Sequence, residues 1–367
     1  MTAPIPHWPG ELYELRSGRL FVRRAPAAAS APAPSLRSAD SAGPVVPAAP
    51  AAPAAPAASA GPDGPVSAAA VTPRGTPAVF VHGLGGSSTN WTDLMDLLAG
   101  QPAAAQPAAG ALAPPLACAA LDLPGFGYSP PPADGDYSLD AHARSVIDLI
   151  ETRAIWPVHL FGNSMGGAIA TRVAARRPDL VRTLTLISPA LPDLRPRLLP
   201  LRVTLVALPG VGTWLMDRAR SVPAAQRVEV TLRDTYADPA RMHPARVAEE
   251  IAEVERRDGL GYATAAFVGS ARGLVTEYAR QGPATLWRDA ARVTAPTLII
   301  YGSHDRLVSP AMAGRAARTF RNSRVIVAHG VGHVAMMERP ELVAKEFRNL
   351  VVGLAERPPH GLVRVPG

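Results

Sequence analysis

The residues Gly162-Asn163-Ser164-Met165-Gly166 stand between an apolar, strand-like run (Val158, His159, Leu160, Phe161) and small, helix-compatible residues (Gly167, Ala168, Ile169, Ala170). A serine with glycine two positions away on each side, at a strand-to-helix junction, is the pattern of a sharp elbow that lifts the hydroxyl clear of the chain. Such a turn strains the serine backbone and brings the helix close to the strand, so its neighbours must lack bulk. Gly162 and Gly166 meet that need. A five-residue pattern also recurs by chance, so its weight depends on what the rest of the chain supplies.

The rest has a regular rhythm. Residues Glu11 to Arg23 carry apolar positions around Ser17-Gly18 and read as a hairpin. Short apolar runs follow at Ala78–Val81, Leu116–Leu121, Val158–Phe161, Leu184–Ile187, Thr297–Tyr301 and Val325–Val327. They alternate with helical patterns. One places Trp91, Leu94, Met95 and Leu98 on a single stripe; another starts at an N-cap, Ser138, and places Ala143, Val146, Ile147 and Ile150 together. Strands alternating with helices predict an α/β fold with a mostly parallel sheet flanked by helices. Between strands the rhythm breaks over 189–294, where helical patterns such as Val247, Ile251 and Val254 replace strands. This segment is expected to be a helical cap over the carboxyl edge of the sheet, where such folds bind ligands.

Composition sets further bounds. The 367 residues include two Ala/Pro-rich stretches, 25–77 and 100–115, which have little apolar surface to bury and are expected to be low-complexity excursions. The expected organisation is a hairpin (1–24), an insertion (25–77), a first core part (78–188, including the loop 100–115), the cap (189–294), a second core part (295–356) and a tail (357–367). The formal charge is +7, yet the basic residues are scattered and all but Lys345 are arginine. No basic stripe with interleaved aromatics points to nucleic acid. Cys118 is the single cysteine, which excludes an internal disulfide, and it reads as a buried, inert thiol. The first residues show no basic segment followed by an apolar core, and no uncharged run reaches the roughly 18 residues needed to span a bilayer. A cytoplasmic protein without an integral membrane segment is expected.

Serine is a weak nucleophile until a base takes its proton, and a carboxylate must orient that base. His333, in a glycine-flanked loop after the last of these strands, is the candidate base, and Asp305, just past the strand ending at Tyr301, the candidate acid. Ser164, Asp305 and His333 each follow a parallel strand, so they should converge on one edge. Asp193, beyond the strand Leu184–Ile187, is the fallback acid. His304 is one residue out of phase and reads as structural, and His142, His159 and His243 lack such a context. Attack on a carbonyl creates an oxyanion that preorganised amides can hold. Met165 supplies one N–H, and the loop His82-Gly83-Leu84-Gly85-Gly86 can supply another from Leu84. That loop lacks the spacing of a dinucleotide or phosphate fingerprint.

Five phrases now stand in order: Phe80-Val81-His82-Gly83-Leu84-Gly85-Gly86, Asp122-Leu123-Pro124-Gly125-Phe126-Gly127-Tyr128-Ser129, Gly162-Asn163-Ser164-Met165-Gly166-Gly167, Tyr301-Gly302-Ser303-His304-Asp305 and Gly332-His333. Together they resemble the signatures of the α/β-hydrolase superfamily in its lid-bearing branch, over about residues 10–24 and 78–355. The resemblance implies the α/β-hydrolase fold and a serine hydrolase with an acyl-enzyme intermediate, needing no cofactor or metal. The Ala/Pro-rich insertions depart from the family pattern without touching a motif. The expected substrate is a small to medium apolar ester, with the cap residues Leu205, Val206, Leu208, Val211, Trp214, Leu215 and Met216 fitting either an apolar pocket or the cap's own core. The Asn-Ser-Met elbow also resembles that of hydrolases that cleave carbon–carbon bonds in ring-fission products, and an acyltransferase would use the same residues. Serine rather than aspartate at the elbow argues against epoxide hydrolase and haloalkane dehalogenase chemistry. A ligand-binding receptor on this fold would be marked by a missing acid or base, and neither is missing.

Overall fold

The apolar runs of the sequence become strands of one sheet in the structure, a computed structural model that describes residues 4–25, 75–100, 115–153, 155, 157–193, 198–282, 285–356 and 361–365. The strands are β1 (Gly10–Leu15), β2 (Gly18–Ala25), β3 (Thr76–Val81), β4 (Leu116–Leu121), β5 (Val158–Asn163), β6 (Val181–Ile187), β7 (Thr297–Gly302), β8 (Ser323–Ala328) and β9 (Gly361–Val365). Among the described residues they lie side by side in the order β1-β2-β4-β3-β5-β6-β7-β8-β9. The hairpin β1–β2 joins β4 antiparallel, and every later pair is parallel. The expected α/β-hydrolase architecture is the observed one.

Because side chains alternate across a strand, a sheet covered on both faces needs apolar residues at successive positions. Strand β3 shows this: Val79 and Val81 join one core, Ala78 and Phe80 the other. Helices α1 (Thr92–Ala99), α2 (Leu139–Thr152) and α3 (Met165–Arg176) follow β3, β4 and β5. The stripe Trp91, Leu94, Met95 and Leu98 is buried as its spacing predicts, and Ser138 caps α2 by accepting from the Ala141 amide at 3.1 Å.

Between the neighbouring strands β6 and β7 the described residues form six α-helices: α4 (Leu198–Ala207), α5 (Val211–Arg220), α6 (Ala224–Thr235), α7 (Pro244–Asp258), α8 (Ala263–Ala279) and α9 (Leu286–Arg292). A buried charge cluster fastens two of them to the core. Arg172 of α3, fully buried, donates twice to Glu277 of α8 (2.9 and 2.7 Å) and once to Asp289 of α9 (3.0 Å). Then follow α10 (Met312–Thr319), α11 (Ala335–Glu338) and α12 (Pro340–Glu356).

Two expectations shift at their edges. Strand β2 runs to Ala25 and β3 begins at Thr76, so Pro77 sits in a strand rather than in the low-complexity stretch. A proline is tolerated near a strand's first residue, which is why composition alone hid it. The segment read as a tail, 357–367, contributes β9, paired parallel to β8. The remainder of the stretch 25–77 and nearly all of 100–115 lie outside the described residues.

Candidate active site

Strand ends set the geometry. Val81 of β3 is level with Gly162 of β5, Asn163 with Ile187 of β6, and Gly302 of β7 with Ala328 of β8. The chain segments that leave these ends therefore meet at one edge: loop 82–86, the elbow, the Asp305 turn and the His333 loop.

Ser164 stands between β5 and α3 with φ 53° and ψ −119°, a backbone conformation L-residues rarely adopt. Hydrogen bonds from three directions hold it there. Its amide donates to Ile187 (3.0 Å), and its carbonyl accepts from Gly167, Ala168 and Ala190 (2.9, 3.1 and 2.9 Å). The two elbow glycines are required by close approach: a Cβ on Gly162 would lie 2.4 Å from the Gly166 oxygen, and one on Gly166 would lie 2.2 Å from the Val81 oxygen.

His333 Nδ1 lies 2.9 Å from Asp305 Oδ2, and both residues are buried. Burial alone would raise the Asp305 carboxyl, but the charge and hydrogen bond of His333, with Ser188 and the Val308 amide, hold it below the usual aspartate value. Its other oxygen accepts from the Leu307 and Val308 amides, each at 2.8 Å. An ionised Asp305 only accepts, so Nδ1 carries the proton and Nε2 is the basic nitrogen of the neutral ring. Asp193 lines the same cavity, but His333 pairs with Asp305. His304 is exposed, its ring nitrogen 2.9 Å from the Ser303 hydroxyl.

Loop 82–86 lies against the elbow: a Cβ on Gly83 would meet the Ser164 Cβ at 3.1 Å. His82 is not at the surface of this site but beneath it. Its Nε2 accepts from the Leu123 amide (2.9 Å), so Nδ1 bears the proton and donates to the Gly83 carbonyl (2.7 Å). Burial pushes its pKa down, and the neutral ring acts as a fixed prop for the loop.

Three contributors had no clear signal in the sequence. Asn163 donates to the carbonyls of His333 and Ile187, each at 3.1 Å, tying the elbow to the histidine loop. Glu338, buried in α11, accepts from the Gly332 amide (2.7 Å) and from those of Ala237 and Asp238 (3.2 and 3.1 Å), while the His333 amide donates to Thr235 (2.6 Å). Ser188 stands beside Asp305. Of these only Asn163 fell within a recognised motif.

Ser164, His333 and Leu84 line one cavity of 1170 Å³. Its far wall comes from the helices between β6 and β7, with Val228, Val254 and Phe267 among its apolar residues and Glu250 and Arg257 among its polar ones. Arg257 donates to the Gly85 carbonyl at 2.6 Å, and burial pushes the Glu250 carboxyl up. Of the residues read as pocket or cap core, Val206 and Met216 line this cavity, whereas Leu205, Leu208, Val211 and Trp214 are exposed.

Comparison with known proteins agrees with this architecture. A family model described as the alpha/beta hydrolase fold matches residues 76–340. The chain is 25% identical over 292 residues to Lipase 3 of Moraxella sp. (strain TA144), covering 76% of this chain and 78% of that protein. It is 36% identical over 119 residues to 2-hydroxymuconate semialdehyde hydrolase of Pseudomonas sp. (strain CF600), covering 32% of this chain and 37% of that one. A bacterial membrane phospholipase A superposes with a TM-score of 0.63 at 19% identity, over 95% of this chain and 86% of that structure. With a model match spanning elbow, acid and histidine alike, the chain belongs to the alpha/beta hydrolase fold family.

Proposed function

We infer that this chain is a serine hydrolase of carboxylic esters carrying an apolar acyl or alcohol group. The observation that carries the reading is the buried His333–Asp305 pair at 2.9 Å, whose histidine lines one cavity with a serine held on a strained elbow. In this mechanism Nε2 of His333 takes the Ser164 proton as Oγ attacks the ester carbonyl, and Asp305 keeps the imidazole in the tautomer that can do so. The amides of Leu84 and Met165 hold the oxyanion. The alcohol leaves with the proton from His333, and water then hydrolyses the acyl-enzyme by the same steps reversed in role.

The helices of 189–294 act as a cap that supplies most of the apolar wall and so selects the substrate. The cavity exceeds the roughly 300–1000 Å³ of ordinary small-molecule sites, which favours acyl chains longer than acetyl. Similarity to a lipase over most of both chains supports the same class. A second reading, hydrolysis of a carbon–carbon bond in a ring-fission product, is favoured by the similarity to 2-hydroxymuconate semialdehyde hydrolase.

The test is release of p-nitrophenol from short and long acyl esters by the wild type and by Ser164→Ala, with a fluorophosphonate label mapped by mass spectrometry. Turnover that is lost in the variant, with label on Ser164, is the expected result. Label without ester turnover would move the assignment to carbon–carbon hydrolysis or acyl transfer. Absence of both would remove the hydrolase reading.

A further inference from the structure

The turn from α4 to α5 is apolar and open to solvent. Leu205, Leu208, Val211 and Trp214 are 42%, 44%, 40% and 64% exposed, and Pro209 and Gly210 between them are exposed too. Single exposed leucines are ordinary, but four large apolar side chains within one helical turn-and-corner are not. The other side of the same two helices, through Val203, Val206 and Met216, lines the cavity that holds Ser164. A helix that serves only as a cavity wall would carry polar residues on its outer side. In α4, Leu198-Leu199-Pro200-Leu201-Arg202-Val203-Thr204-Leu205-Val206-Ala207, the charged residue is Arg202 alone.

Charge around this tip has one dominant sign. Over 202–220 the chain carries Arg202, Arg218 and Arg220 against Asp217. Arg202 and Arg218 are exposed; Asp234 of helix α6 lies 3.7 Å from Arg202, and Arg218 donates to the Ser221 hydroxyl. An apolar tip bearing a tryptophan, bordered by arginines, suits a boundary where hydrocarbon meets phosphate: the apolar groups enter, and the guanidiniums stay with the anions. Helices α4 and α5 have ten residues each, too short to cross a bilayer, and no helix among the described residues is long and apolar enough to do so. The tip fits a segment that lies on a membrane.

We propose that the α4–α5 corner docks this protein on an anionic phospholipid surface, with Leu208 and Trp214 inserted and Arg218 meeting lipid phosphates. Docking here does not depend on which reaction Ser164 performs, and it places one wall of the cavity next to the lipid.

The test uses the full chain and vesicles of phosphatidylcholine with or without phosphatidylglycerol, scored by co-flotation. The wild type should bind the anionic vesicles, and high salt should weaken that binding. The double variant Leu208→Ser/Trp214→Ser should bind at least about tenfold more weakly, and Arg218→Gln about fivefold more weakly on anionic vesicles only. Brominated lipid should quench tryptophan emission in the wild type, and this quenching should be lost in Trp214→Phe. All three residues are exposed and outside the catalytic machinery, so hydrolysis of a soluble short-chain ester and the unfolding temperature should stay at wild-type values. A wild type that does not float, or a double variant that floats equally well, would overturn the proposal. A wild-type dimer that the double variant converts to monomer, without vesicle binding, would reassign the tip to self-association. Equal binding to neutral vesicles would overturn the anionic specificity.

Discussion

Ser164 shows how a single residue can be costly to fold and still be retained. A non-glycine residue at φ 53° carries on the order of 1–3 kcal/mol of strain, which persists only where the surroundings over-determine it. Here four backbone hydrogen bonds and two tight glycine approaches do so. Ser164→Ala should keep the fold and lower ester turnover by about 10⁶, measured as kcat beside an unchanged circular dichroism spectrum. Gly162→Ala should fail differently, because its Cβ would meet backbone rather than a movable side chain; soluble yield and unfolding temperature should both drop. Asp305 adds a pH signature. Its carboxyl is held low in the fold, so between the ordinary aspartate value of about 3.9 and that lower value the unfolded chain binds more protons. Its contribution to stability is therefore present above about pH 4 and lost as acid takes the pH through the folded value. Asp305→Asn should lower kcat by about 10³ to 10⁴ near neutrality. It should also unfold more easily than wild type at about pH 7, and the gap should narrow at about pH 3; a constant gap would contradict this account.

At the scale of elements, much was legible because strands buried on both faces must be apolar throughout. Ala78–Val81, Val158–Phe161 and Thr297–Tyr301 needed no further context, and the glycines and the Asp305 and His333 positions followed from strand ends. What stayed hidden depends on distant partners. Glu338 looks like an ordinary helical glutamate in sequence, yet its carboxylate joins the histidine loop to the 237–238 segment through three amides. Leu208 and Trp214 show the same gap from the other side, since apolar character alone does not say which way a helix faces. The Glu338 bridge has a measurable consequence. Glu338→Ala leaves three amides without their acceptor and should destabilise the fold by about 3 kcal/mol or more. It should also lower kcat about tenfold more than KM changes, since it loosens the His333 loop rather than the cavity wall. Unfolding curves and a kcat-against-KM comparison check both, with Glu338→Gln recovering part of each loss.

For the whole molecule, helices α4 to α8 line one cavity together with the loops at the sheet edge. The serine, acid and histidine come from strand ends, whereas most of the surface a substrate would touch comes from α4 to α8. On the proposed function, chemistry and selectivity would be carried by different parts of the chain, and each should change without the other. Burying a methylene gives about 0.8 kcal/mol, so kcat/KM for p-nitrophenyl esters should rise by up to about fourfold per added methylene until the acyl chain fills the cavity. Val275 of α8 is half-buried and lines the cavity, so a larger side chain there would take up space the acyl chain needs. Val275→Trp should cut activity on long esters by more than about tenfold and leave acetyl ester turnover and fluorophosphonate labelling of Ser164 near wild type. A flat chain-length profile, or a Val275→Trp enzyme impaired equally on acetyl and long-chain esters, would mean that the helices do not read the acyl group.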